Sequence, residues 1–94
     1  MSYSEKQIEH ALTLMVKARG GIAPKFVSPS FAGMPDRLVL LPGGVFAFAE
    51  LKAPGMKPRA LQLARHRLLK DLGFKVYVID GIKQIEEVLS EIVG

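Results

Sequence analysis

Apolar residues recur at Ile8, Ala11, Leu12, Met15 and Val16, the three-and-four spacing of a helix face, until Gly20-Gly21 interrupts them. Ser4 and Gln7 stand three apart just before this stripe, the spacing of a capping box that opens a helix. The period then changes. Lys25 to Ser28 reads as a short strand, and residues 29–35, rich in Pro, Ser and Gly, as a loop. Two apolar runs, 37–41 and 45–52, flank Pro42-Gly43-Gly44 and predict a hairpin. Residues 53–57 form a Pro- and Gly-containing loop, and Pro58 suits the first turn of a second helix. Leu61, Ala64, Leu68 and Leu72 give that helix a stripe expected to be buried, and Gly73 ends it. Phe74 to Ile79 reads as a strand. Asp80 is placed to cap a last helix with Ile82, Ile85, Leu89 and Ile92 on one face.

The predicted order is therefore α-β-β-β-α-β-α. The hairpin strands pair antiparallel, and the 74–79 strand, arriving after a helix, can return parallel to the 45–52 strand by a right-handed crossover. An α/β fold with a mixed sheet flanked by helices follows. No repeat, linker or low-complexity segment divides the chain, so residues 1–94 are expected to form one domain.

Composition narrows the classes. Apolar residues make up 49% of the chain and cysteine is absent, which allows a real core and excludes disulfides and thiolate metal sites. The longest apolar run, Val45 to Ala49, is far too short to span a bilayer, and the N-terminus lacks the basic-then-apolar pattern of a signal peptide. A soluble, cytoplasmic protein with no membrane partner is expected. The net charge of +4 is unevenly spread. Residues 52–75 hold seven basic side chains and one acidic, whereas residues 76–94 hold one and four. Such a basic block is either a solvated helix face or a surface for a polyanion.

The chemistry concentrates at Asp36, Glu50 and Lys52. A hairpin folds Gly33-Met34-Pro35-Asp36-Arg37 back toward Phe48-Ala49-Glu50-Leu51-Lys52, making the two acids neighbours. Alternation along a strand sends Glu50 and Lys52 to one face and Leu51 to the other. Two carboxylates, with the Leu51 carbonyl as a third oxygen, can hold a hard divalent cation such as Mg²⁺ or Mn²⁺ and leave positions for water and phosphate. Lys52 would face the same phosphate. Asp36 after Pro35 is also a common turn acid, and Lys52 can simply neutralise Glu50. A carboxylate at the end of a Val, Phe and Ala strand is harder to explain without a cation or hydrogen bonds.

With that order and those acids, the chain resembles the VRR-NUC (virus-type replication-repair nuclease) domain of the PD-(D/E)XK nuclease superfamily. The resemblance rests on the first helix with Glu9, Gly-Met-Pro-Asp36-Arg, Phe-Ala-Glu50-Leu-Lys52, and Gln62 on the next helix, and it covers nearly the whole chain. Glu50-Leu51-Lys52 is the only Asp/Glu-x-Lys triplet present. Met34 stands where the family pattern has a valine and leaves the acids untouched. The resemblance implies a metal-dependent phosphodiesterase acting on DNA, with Glu9 joining the metal ligands and Gln62 binding phosphate or orienting the lysine. Short members look like phage-encoded enzymes similar to Holliday junction resolvases, working as homodimers on branched DNA in repair.

Further residues are candidates for contacts with the DNA backbone. Arg65 and His66 share the shoulder of the second helix with Gln62, and Lys25, Ser28, Lys57 and Arg59 complete the set. Phe46 and Phe48 are core residues, since stacking on bases requires an exposed sheet face. Two other classes fit the same features: a basic nucleic-acid-binding module whose acids form only an ion-pair network, and a nuclease subunit of a larger complex. Cleavage in Mg²⁺ or Mn²⁺ separates the first from an enzyme, and light scattering bears on the second.

Overall fold

The structure, a computed structural model, describes residues 4–94. The first helix, α1 (Glu5–Ala18), starts at the predicted capping box: the Ser4 side chain accepts from the Gln7 amide and the Gln7 side chain accepts from the Ser4 amide. Gly20, in the left-handed region at φ +85°, ends it, and Gly21 lies so close to the Leu40 carbonyl that a side chain there would collide. Strands β1 (Arg37–Leu41) and β2 (Val45–Leu51) form the antiparallel hairpin, with Gly43 and Gly44 both left-handed in its turn.

After α2 (Ala60–Asp71), β3 (Val76–Ile79) pairs parallel with β2, and α3 (Lys83–Val93) closes the chain. The sheet order is β1-β2-β3. This is the expected mixed α/β sheet.

Alternation along the strands divides the packing between two faces. On one face Val39, Leu41, Ala47, Ala49, Leu51 and Ile79 meet Ile8, Leu12 and Val16 of α1 and Ile85, Leu89 and Ile92 of α3 in a single core. Each of these larger aliphatic side chains, once fully buried, contributes about 1.5–3 kcal/mol. A salt bridge from Arg19 to Glu86 joins the two helices at the rim. The other face carries Phe48 and Val76 packed with Leu69 of α2, bordered by Phe26, Met34, Leu38 and Phe46. Phe48 meets Phe26, Phe46 and Phe74 edge-on, so it is the core aromatic expected, while Phe46 is half-buried. No helix among the described residues is long and apolar enough to cross a membrane.

Three expectations are corrected. The 25–28 strand is instead an extended segment that touches β1 only through bridges at Ile22–Leu40 and Lys25–Arg37. The Leu38 amide donates to the Pro24 carbonyl, but Pro24 has no N–H to return, so the ladder breaks there. Asp80 does not cap α3. Its amide and carboxylate are taken by the Gln84 side chain, and the helix begins at Lys83 with Ile82 at the N-cap position and no side-chain cap.

The third correction concerns α2. Leu61, Ala64, Leu68 and Leu72 face outward, Leu72 with 66% of its surface exposed, and the buried residues are Gln62, His66 and Leu69. Helical spacing found the apolar stripe and misjudged which side meets the sheet.

Candidate metal centre

The hairpin register builds the site. Arg37 pairs with Ala49, so continuing the register by one residue sets Asp36 opposite Glu50 on the same sheet face. Asp36 Oδ1 accepts from the Leu51 amide at 3.1 Å, fixing the loop acid to the end of β2. In a strand the N–H and C=O of one residue point to the same side. The Leu51 carbonyl therefore faces the space beside Asp36, past the start of β1. Leu51's side chain lies in the α1/α3 core, as alternation requires.

Glu50 is only 2% exposed. Its Oε2 accepts from Gln62 Nε2 at 3.2 Å and lies 3.7 Å from Lys52 Nζ, while its Oε1 lies 3.3 Å from His66 Nε2. Gln62 is held in turn by the Arg59 amide, which donates to its Oε1 at 2.8 Å. Burial pushes the Glu50 carboxyl up from the usual 4.5 to about 7, with the Asp36 charge adding to the rise and Lys52 opposing it. Asp36 is also raised, first by burial, against the Leu51 amide that favours its ionised form. Burial lowers the His66 pKa, and Lys70 and Lys52 lower it further. Two crowded acids that resist ionisation make a place where a positive charge would be favourable.

The other predicted residues divide. Glu9 pairs with Arg37 at 2.6 Å, and Arg37, itself buried, also donates to the Ala23 carbonyl. The carboxylate of Glu9 is thus engaged by the residue after Asp36, at the cleft that Asp36 also lines. Glu5, one turn earlier and absent from the sequence reading, is the α1 acid whose charge raises both Asp36 and Glu50. It lines, with Glu9, Lys25, Asp36 and Arg37, a cleft of about 240 Å³. Its place one turn before Glu9 on the same helix was the available signal. Among the described residues no three acid or histidine side chains form a cage by themselves. The oxygen set is two carboxylates and a backbone carbonyl.

Of the proposed DNA contacts, Lys25, Lys57 and Arg59 are exposed and Ser28 is half-buried, its carbonyl accepting from Phe31. His66 is corrected from a surface contact to a buried partner of Glu50. Arg65, partly exposed, also braces the 29–35 loop. Its Nε donates to the Ala32 carbonyl at 2.8 Å and its guanidinium stacks 3.8 Å over the Phe31 ring. Beside it Gly33, at φ +88°, comes so near α2 that a Cβ would sit 2.7 Å from Leu61 Cγ. This contact ties the loop that carries Asp36 to the helix that carries Gln62.

An antiparallel hairpin extended by a parallel strand, with acids and a lysine at the end of the middle strand, defines a PD-(D/E)XK-like α/β core. A solved structure described as "VRR_NUC domain" matches it with a TM-score of 0.85 at 29% identity, over 94% of this chain and 97% of that one. The chain is also 53% identical over 77 residues to "Putative nuclease p44" of Acyrthosiphon pisum secondary endosymbiont phage 1, covering 82% of this chain and 83% of that protein. No family profile matches the chain. The chain belongs to the VRR-NUC domain family.

Proposed function

We propose that this chain is a nuclease of the VRR-NUC type, a divalent-metal-dependent endonuclease that hydrolyses DNA phosphodiesters. The observation that carries this reading is the register that sets Asp36 opposite Glu50, with Lys52 3.7 Å from the Glu50 carboxylate. The donor set fits a hard cation, since it consists of oxygens and includes a buried carboxylate whose ionised form lacks a full counter-charge. Asp36, Glu50 and the Leu51 carbonyl would hold Mg²⁺ or Mn²⁺. Bound there, the ion supplies Lewis-acid polarisation of the phosphate and makes water a stronger nucleophile near neutral pH. Lys52, on the same face as Glu50, stabilises charge developing on the phosphoryl oxygens. Glu5 adds negative charge that strengthens the attraction for a cation. The test is incubation of labelled duplex, single-stranded, flap and four-way-junction DNA with Mg²⁺ or Mn²⁺. Cleavage abolished by EDTA is expected, and binding without cleavage would favour a non-catalytic module.

Successive residues of α2 turn by about 100°. Arg59, Arg67 and Lys70 consequently share one side of the helix, next to the side that faces Glu50, and form the proposed track for the DNA backbone. Replacing any of the three by alanine is expected to flatten the salt dependence of binding by about one unit per lost phosphate contact. Arg65→Ala is expected to leave that slope unchanged and to lower cleavage by loosening the Asp36 loop. A slope that falls in Arg65→Ala as much as in the other three would return Arg65 to the DNA surface.

The outward stripe of Leu61, Ala64, Leu68 and Leu72 supports a homodimer in which this face meets its copy. Two metal sites related by a two-fold axis suit paired cuts in a branched DNA. Light scattering at micromolar concentration is expected to give twice the chain mass, and Leu68→Glu with Leu72→Glu to give the monomer mass. A parent protein that is monomeric would remove the symmetric reading and leave single cuts.

A further inference from the structure

Only three residues of α2 are buried against the sheet, and two of them, Gln62 and His66, are polar. Five leucines and alanines of the same helix, Ala60, Leu61, Leu63, Ala64 and Leu68, are left outside. Apolar residues at 62 and 66 would serve packing better than an amide and an imidazole, so packing alone does not account for this orientation. What the two polar side chains share is Glu50. They stand one turn apart and take different oxygens of the same carboxylate, Gln62 on Oε2 at 3.2 Å and His66 on Oε1 at 3.3 Å.

We propose that His66 is a positioning residue for the cation site: its Nε2–H donates to Glu50 Oε1 and, with Gln62 on Oε2, fixes the plane of the carboxylate. The proposal rests on the metal-dependent reading above. An ionised carboxylate only accepts hydrogen bonds, so the ring must carry its proton on Nε2. A carboxylate held through both oxygens keeps one rotamer and presents its remaining lone pairs to a cation without an ordering cost. His66 is 4% exposed and its side-chain contact at the site is Glu50, so its influence on the reaction passes through Glu50. Outer hydrogen bonds of this kind commonly change metal affinity by about 10–100-fold.

The test measures Mn²⁺ binding to the full chain by titration calorimetry, without DNA. His66→Leu is expected to weaken Mn²⁺ binding about tenfold or more. Its metal-free melting temperature should fall, because the buried Glu50 Oε1 loses a donor, and its affinity for DNA without metal should be unchanged. His66→Gln, whose amide nitrogen can reach the place of Nε2, is expected to stay near the parental Mn²⁺ affinity, whereas the shorter His66→Asn is expected to be as weak as His66→Leu. If His66→Leu does not fold, the Gln and Asn pair decides. Parental affinity in His66→Leu, or equal weakness in Gln and Asn, overturns the role of His66 while leaving the metal site standing. A parent chain that binds no Mn²⁺ overturns the metal reading and this role together.

Discussion

Asp36→Asn and Glu50→Gln are each expected to lower cleavage about a thousandfold or more while leaving DNA binding intact or tighter. Each substitution keeps the shape of the side chain and removes the charge of one of the two proposed ligands. Losing several kcal/mol of charge stabilisation in the transition state corresponds to that factor. Binding moves the other way because a phosphate approaches a less negative site. Folding should survive at both positions. In Glu50→Gln the new amide oxygen accepts from Gln62, and its nitrogen donates to neutral His66, which can present an unprotonated Nε2 after a change of tautomer. In Asp36→Asn the amide oxygen can still accept from the Leu51 amide. Gel assays of cleavage and of binding in calcium or EDTA separate the two effects. A parental cutting rate in either variant would remove that acid from the required set.

The parts of this fold governed by local chemistry were legible in the sequence. Ser4 and Gln7 announced α1, Pro42-Gly43-Gly44 the hairpin and Gly73 the end of α2, because each depends on backbone groups within a few residues. The juxtaposition of Asp36, Glu50 and Lys52 followed from the hairpin and from alternation. The orientation of α2 did not. Its leucine stripe is the more hydrophobic side, yet Gln62 and His66 face inward, since a buried Glu50 needs donors and outweighs the gain from covering leucines. Periodicity reports that a helix has an apolar side and is silent on a buried acid across the sheet. The pairing of Glu9 with Arg37 was hidden for a related reason: it depends on which face of β1 meets α1, a tertiary fact. Arg65 counted as one more cation in a basic block until the Gly33 loop supplied Ala32 and Phe31 as partners.

Metal-free protein is expected to lose stability as pH rises from about 4.5 to about 7, and Mg²⁺ to restore it most at the upper end. The Glu50 carboxyl titrates near 7 in the folded chain and at the ordinary 4.5 when unfolded. Between those values the folded state binds more protons than the unfolded one, so stability falls with rising pH and levels off above 7. At about 1.4 kcal/mol per pKa unit the Glu50 contribution is of order 3 kcal/mol, a large share of the roughly 5–15 kcal/mol that holds a domain together. His66 acts in the opposite sense: its pKa is lowered by burial and then by Lys70 and Lys52, so its contribution improves as pH rises toward 6.5. Comparison with Glu50→Gln isolates the carboxylate, because His66 remains in both proteins. The variant should match the parent near pH 4.5 and exceed it by about 10 °C or more in melting temperature at pH 8, at about 4–8 °C per kcal/mol for domains of this size. Mg²⁺ binding to the folded, ionised site should raise the parent's melting temperature more at pH 8 than at pH 5.5, with little effect on Glu50→Gln. Melting curves that run parallel for parent and variant from pH 4.5 to 8 would show that Glu50 ionises without strain, and that its burial is balanced by Lys52 and the α2 donors rather than awaiting a cation.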